Sequence, residues 1–285
     1  MSRLTLHFQT LPPWARDFVE HSGTRWVKVM DPPPDNPFAG LQVNVVGRTY
    51  IPDELSNALI WNGADGARAW VERWLPFYES RPWVHYWELP NEPHPLWDPN
   101  FRRALDTFTT EAVYRMAEHG FKAVGLNFSV GWPDIDHAPF FSEALEELRE
   151  HDGLFGVHEY CAPHMDVADN QGTYWYTLRI LRTLQELDDW KIQYPPVFVG
   201  ECGIDGGVTT PFNHPPQPHR GWRTFAGHPK NYLHQLAWYD QHLPDAVLGA
   251  AIFNAGSLPP WYDFDVDQGL AMHLAHYIRT GELPT

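Results

Sequence analysis

Two glutamates carry the chemistry this sequence makes available. Glu92 lies in Trp87-Glu88-Leu89-Pro90-Asn91-Glu92-Pro93, and Glu201 in Val199-Gly200-Glu201-Cys202-Gly203. Each follows an apolar, β-prone run: Trp83-Val84-His85-Tyr86-Trp87 before the first, Pro196-Val197-Phe198-Val199 before the second. A carboxylate just past such a run, followed by Pro or Gly, stands where the chain leaves a sheet. In α/β barrels that rim gathers the reactive groups. Two carboxylates converging there are the minimum equipment for breaking a glycosidic bond.

The elements that must position them are legible as alternating patterns. Strand-like runs fall at residues 4–9, 26–30, 41–46, 83–88, 123–129, 154–158, 197–201 and 247–253. Between them, apolar residues recur every three or four positions. Leu105, Phe108, Ala112 and Met116 form one such stripe, with Gly120 as its C-terminal stop. Leu178, Leu181, Leu184 and Leu187 form another, Leu233, Leu236 and Ala237 a third, and Leu270, Leu274 and Ile278 a fourth. Eight strand–helix alternations without a break in composition predict an α/β fold, a single (β/α)8 TIM barrel over residues 1–285. Pro32, Pro33, Pro34 and Pro37 forbid regular structure between Asp31 and Leu41. Residues 206–228 show neither pattern and follow Glu201 directly. They are expected to wall the cleft, with His214, His219, Arg220 and Trp222 as substrate contacts.

Spacing tests this arrangement. Glu92 and Glu201 are 109 positions apart (201 − 92), or about 36 residues for each of three strand–helix units. The strand count independently places them after strands four and seven.

Composition narrows the partners. A formal charge of −16 excludes a phosphate backbone or an anionic membrane as the natural surface to bind. Fourteen tryptophans suit either a sugar-stacking cleft or a barrel core. A carbohydrate is the expected partner; the state of oligomerisation is not readable. Two cysteines, Cys161 and Cys202, cannot build a disulfide scaffold, although their strands should be neighbours and bring them close. The N-terminal Met1-Ser2-Arg3-Leu4-Thr5-Leu6-His7 has no signal-peptide run, which favours a cytoplasmic origin over secretion.

Asn91-Glu92-Pro93, then His158-Glu159-Tyr160, then Glu201, in that order and at barrel spacing, resemble the clan A glycoside hydrolases. These are retaining (β/α)8 enzymes that include families 5 and 39. The resemblance implies Glu92 as acid/base after strand four and Glu201 as nucleophile after strand seven. It implies that Asn91 donates to the sugar 2-hydroxyl and that Tyr160, with His158 nearby, holds the nucleophile. No metal and no cofactor are expected. Two departures stand out. Where many members carry an Arg near the end of strand two, this chain has Lys28 and Asp31, so Arg48 from strand three is expected to substitute or to touch substrate. Where many end strand eight on a sugar-stacking Trp, this chain has Ile252-Phe253-Asn254, with Trp261 further along. Phe253 and Trp261 are therefore the expected platform residues. Glu88, inside strand four, needs a buried cationic partner such as an Arg, and Arg48 is a candidate.

Other readings make different demands. A metal-dependent barrel hydrolase usually needs His-x-His at the end of strand one, and this chain has His7-Phe8-Gln9. A non-catalytic carbohydrate-binding protein would not need both glutamates. An inverting glycosidase would hold them roughly 6.5–9.5 Å apart instead of about 5–5.5 Å.

Overall fold

The runs of Val, Ile, Phe and Trp form strands because β-branched and aromatic side chains pack well on a pleated surface. The computed structural model describes residues 2–165, 176–208 and 215–284. Eight parallel strands follow one another in order around a closed barrel. They are β1 (Leu4–Phe8), β2 (Trp26–Met30), β3 (Asn44–Arg48), β4 (Tyr86–Glu88), β5 (Lys122–Phe128), β6 (Leu154–Cys161), β7 (Val197–Ile204) and β8 (Val247–Ala255). The helices among the described residues are α1 (Ala15–Ser22), α2 (Asp53–Trp61), α3 (Gly63–Glu79), α4 (Pro99–Glu118), α5 (Ser142–Glu150), α6 (Arg179–Asp189), α7 (Trp222–Phe225), α8 (Pro229–His242) and α9 (Gln268–Thr280). The (β/α)8 architecture expected from the alternation is the one observed.

Three of the sequence stripes are buried faces of α4, α8 and α9; of the fourth, Leu184 and Leu187 are buried in α6, Leu181 is half-buried and Leu178 precedes the helix. Gly120 and Gly281 follow α4 and α9 in the left-handed region, where a Cβ would be strained. The main core lies between these helices and the outer face of the barrel. A second apolar cluster fills the barrel itself: Trp26, Val46, Val124, Leu154, Phe198 and Ala251, with Tyr86 packed against it.

The boundaries differ from the sequence reading for identifiable reasons. Strand three starts at Asn44, not at residue 41, because its ladder begins where Asn44 N–H donates to Arg25 O at 2.8 Å. No helix joins β2 to β3; the proline-rich segment crosses outside the barrel, as the prolines require. Strands six, seven and eight run two or three residues further than their apolar runs, carrying polar side chains into the ladder. Both cysteines are buried. Their register is offset, with Cys202 opposite Glu159 and Cys161 opposite Ile204. No helix among the described residues is long and apolar enough to cross a membrane.

Candidate active site

Glu201 is placed by an irregularity in β7. The ladder shifts register beside it toward both β6 and β8, so the strand kinks as it reaches the rim. Its neighbour must be glycine: a Cβ on Gly200 would meet Glu88 Oε1 at 2.7 Å and His158 Nε2 at 3.2 Å. The Glu201 side chain is only 8% exposed, and residues from β1, β2, β3 and β6 hold it. Arg48 Nη1 donates to Oε1 at 2.8 Å and the Lys28 ammonium lies 3.4 Å from the same oxygen. Tyr160 OH donates to Oε2 at 2.8 Å. His7 Nδ1 is 3.6 Å from Oε1 and His158 Nδ1 is 3.7 Å from Oε2.

Burial pushes this carboxyl up, but His158, Lys28 and Arg48 outweigh it and hold Glu201 well below the usual carboxylate range. It is ionised at neutral pH. Burial, and then the Glu201 charge, keep the Tyr160 phenol protonated, so it is a permanent donor. Burial and the Lys28 charge hold His7 as neutral imidazole.

Glu92 is positioned differently. It lies four residues beyond β4, in a turn bounded by Pro90 and Pro93, with φ +43°, a conformation few non-glycine residues adopt. The turn is clamped from β5. Glu92 N–H donates to Asn127 O at 3.1 Å, and Asn127 Nδ2 donates to Leu89 O at 3.0 Å. Gly156 leaves the space that the Asn127 amide oxygen occupies. The result is a carboxylate 38% exposed, with Oε1 2.9 Å from His158 Nδ1. One imidazole nitrogen thus touches both glutamates. Left-handed backbone strain at a non-glycine residue is the kind that local structure must over-determine.

Glu88 takes its charge partner from β2. Lys28 Nζ is 2.9 Å from Glu88 Oε2, and both side chains are fully buried. The expectation that Arg48 would pair with Glu88 is corrected: Arg48, at the very end of β3, reaches the higher Glu201. Lys28 lies one inward step before the end of β2, where Met30 pairs with Arg48, and its long side chain reaches Glu88 across β3.

A cavity of about 730 Å³ opens over these groups. Asn91, Glu92, Tyr160, Glu201, Arg48, Phe253 and Trp261 all line it, as does Asp205 just beyond β7. Asn91 Oδ1 is buried without a hydrogen-bond partner among the described residues. Gln9 Oε1 accepts from Asn254 Nδ2 at 3.0 Å and from Leu258 N–H at 2.8 Å, which ties down the loop carrying Trp261. Trp261 packs edge-on against Phe253 at 5.5 Å. Burial raises the Asp205 carboxyl to about 6 against the pull of the Gly207 N–H, and Glu92 adds to the rise.

Trp222 is corrected. Expected to face substrate, it is 2% exposed, stacks on Tyr232 at 5.3 Å and donates from Nε1 to Phe264 O at 3.0 Å. An amphipathic ring with its N–H satisfied inside is a core residue. It begins the short helix α7, inside a segment that showed no periodicity. His219 packs on the edge of Trp261 at 4.9 Å, and Arg220 is exposed; neither lines the cavity. His214 lies outside the described residues.

Lys28, Asn127, His7 and Asp205 were not singled out as site residues by sequence reasoning. A charged residue inside an apolar strand run was the available signal for Lys28, and an Asn between Leu126 and Phe128 was the signal for Asn127. Asp205 follows the strand-seven run only when β7 is extended to its observed end.

Glu92, His158 and Glu201 also offer three ligand atoms within 4.8 Å of one another, as a metal site would. Lys28 and Arg48 already place two cations against Glu201, so a divalent ion there would meet strong repulsion.

Solved structures share this barrel. A β-1,3-glucanase from Cryptomeria japonica pollen aligns with a TM-score of 0.51 at 14% identity, over 89% of each chain. A plant β-glucan endohydrolase gives 0.52 at 15% identity, over 89% of this chain and 90% of its own. A GH128 endo-β-1,3-glucanase from Amycolatopsis mediterranei, in complex with laminarihexaose, gives 0.52 at 13% identity, over 95% and 98%. The shared feature is the fold. No family model matches the sequence, and no curated protein matches it. The resemblance to clan A barrels drawn from Asn91-Glu92-Pro93, His158-x-Tyr160 and Glu201 thus meets a chain fold that several glycoside hydrolases adopt.

Proposed function

We propose that this protein is a retaining β-glycoside hydrolase, with Glu92 as acid/base and Glu201 as nucleophile. One observation carries the reading: carboxylate oxygens of Glu92 and Glu201 approach within 4.8 Å at the floor of one cavity. Retaining enzymes hold the pair about 5–5.5 Å apart, and inverting ones leave roughly 6.5–9.5 Å for a water.

The two glutamates are dressed for different roles. Glu201 is buried, ionised and held by Arg48 and Tyr160, as attack on an anomeric carbon requires. Glu92 is accessible, touches no Lys or Arg among the described residues, and faces the cavity where a leaving oxygen would stand. In the first step the bond from anomeric carbon to leaving oxygen breaks, Glu92 gives that oxygen its proton, and Glu201 forms the glycosyl ester. In the second, water attacks the same carbon, Glu92 takes its proton and Glu201 leaves as carboxylate. Asn91, which lines the cavity beside Glu92, is well placed to bind a sugar hydroxyl. Phe253 and Trp261 supply an apolar wall.

A β-glucan is the substrate class we favour, because β-1,3-glucanases and a β-glucan endohydrolase share the barrel over nearly its full length. A panel of aryl β-glycosides and β-glucans, with the anomer of the first product read by proton NMR, tests the reading. Release of the β-anomer supports it. Release of the α-anomer, or turnover unaffected by Glu201→Gln, overturns it.

A further inference from the structure

Below the nucleophile lies an ion pair that the two-step chemistry does not use. Lys28 and Glu88 have no solvent exposure and are 2.9 Å apart, and the same ammonium is 3.4 Å from Glu201 Oε1. One cation therefore serves two carboxylates. A charged pair in a sealed barrel interior is costly to keep, since hydrophobic residues of like volume would often fold as well. The fold also gives up a side chain to keep it: a Cβ on Gly200 would meet Glu88 Oε1 at 2.7 Å and Lys28 Nζ at 3.3 Å. We propose that Glu88 is a positioning residue for the nucleophile, drawing Lys28 partly away from Glu201 so that the carboxylate is held in place yet remains free to attack. This inference rests on the role proposed for Glu201.

The charges through the reaction make the case. Free Glu201 is negative and faces Lys28 and Arg48. Once its oxygen bonds to the anomeric carbon, the ester has no charge. Lys28 is then still compensated, because Glu88 remains 2.9 Å away inside the same closed space. Without Glu88, the ammonium would be bare in the glycosyl-enzyme and fully committed to the carboxylate in the free enzyme. Both effects favour the free carboxylate, so formation of the ester slows while its hydrolysis does not.

Every other group facing Glu201 is accounted for. His7 comes from β1 and Arg48 from β3; Glu92 follows β4, His158 and Tyr160 come from β6, and Asp205 follows β7. β5 presents Asn127 and β8 presents Phe253, neither of which titrates. Two of these groups are shared with a second carboxylate: His158 with Glu92 at the cavity and Lys28 with Glu88, and only the Lys28–Glu88 pair is wholly buried.

The test compares Glu88→Gln with Lys28→Met. The Glu201 carboxyl is titrated by ¹³C NMR in each full-length protein, and kcat/KM is followed against pH on an aryl β-glycoside. Glu88→Gln moves the Glu201 titration, and the acid limb of kcat/KM, to lower pH by about half a unit or more, and lowers kcat/KM by roughly tenfold. Lys28→Met moves both to higher pH. The double variant Lys28→Met/Glu88→Gln, which leaves no buried charge unpaired, also titrates above wild type because the nearer group is gone. Opposite shifts from two members of one pair are the signature; a merely structural pair lowers activity in both variants with Glu201 titrating as before. Unshifted titrations, or shifts of the same sign, overturn the inference. Normal opposite shifts in a protein that turns over no glycoside would leave the charge sharing standing and overturn the proposed function instead.

Discussion

The inside of the barrel holds two layers built from the same strands, and they obey opposite rules. In the lower layer Trp26, Val46 and Phe198 fill the space with apolar volume, alongside Val124, Leu154 and Ala251. One inward step higher, Trp26 gives way to Lys28, Val46 to Arg48 and Tyr86 to Glu88. The lower layer is stabilised by burial alone, which is non-directional and tolerant of reshaping. The upper layer is held by specific charged contacts at 2.8–3.4 Å, and removing Lys28 leaves Glu88 without its cation. The difference teaches where the molecule invests stability and where it invests chemistry: the plug makes the barrel rigid, and the charged floor above it is held in one arrangement by that rigidity.

Substitutions in each layer should therefore separate activity from stability. The largest effect belongs to the upper layer. Glu201→Gln should reduce kcat on an aryl β-glycoside by on the order of 10⁴-fold or more, while circular dichroism shows the same secondary structure. Trp26→Ala, in the plug, should do the reverse. It should cost about 3–5 kcal/mol in denaturant unfolding and leave KM nearly unchanged in the protein that remains folded. Tyr160→Phe removes one hydrogen bond to the ionised nucleophile. That bond is worth about 1.5–3 kcal/mol, so kcat should fall roughly 10–150-fold with little change in the unfolding midpoint.

The smallest effect is a pH dependence of stability. Burial raises Glu159 and Asp106 to about 7 and Asp205 to about 6. All three sit above their ordinary values, so the folded state holds protons that the unfolded state releases between roughly pH 4 and 7. Stability should consequently decline as pH rises through 6–7, and the thermal midpoint should be a few degrees higher at pH 5.5 than at pH 8. Glu201 acts oppositely, because its depressed value adds stability that is lost only as pH falls below the ordinary carboxylate range. A midpoint that rises steadily from pH 5.5 to 8 would contradict these assignments.

The two layers were not equally legible in the sequence. The plug and the surrounding core follow from period: alternation marks strands, and three-to-four spacing marks α4, α6, α8 and α9. Barrel order then brings Glu92, Glu201, His158 and Tyr160 together without any contact being known. The rest of the floor is set by pleat and register, which strand identity alone does not supply. Lys28 and Arg48 come from neighbouring strands, yet Lys28 meets Glu88 and Arg48, opposite Met30 in register, meets Glu201 instead. Trp222 failed for another reason. An aromatic in an unpatterned loop reads as exposed, whereas the loop here folds back and buries the ring on Tyr232.

In the proposed reaction Glu201 forms a covalent bond to the anomeric carbon while Glu92 supplies the proton. Incubation with an activated 2-deoxy-2-fluoro-β-glycoside, followed by peptide mass spectrometry, tests it most directly. A one-sugar mass increase is expected on the peptide containing Glu201, absent in Glu201→Gln and accumulating in Glu92→Gln when the leaving group needs no proton. Labelling at another carboxylate, or turnover with no covalent intermediate and an inverted product, would contradict it.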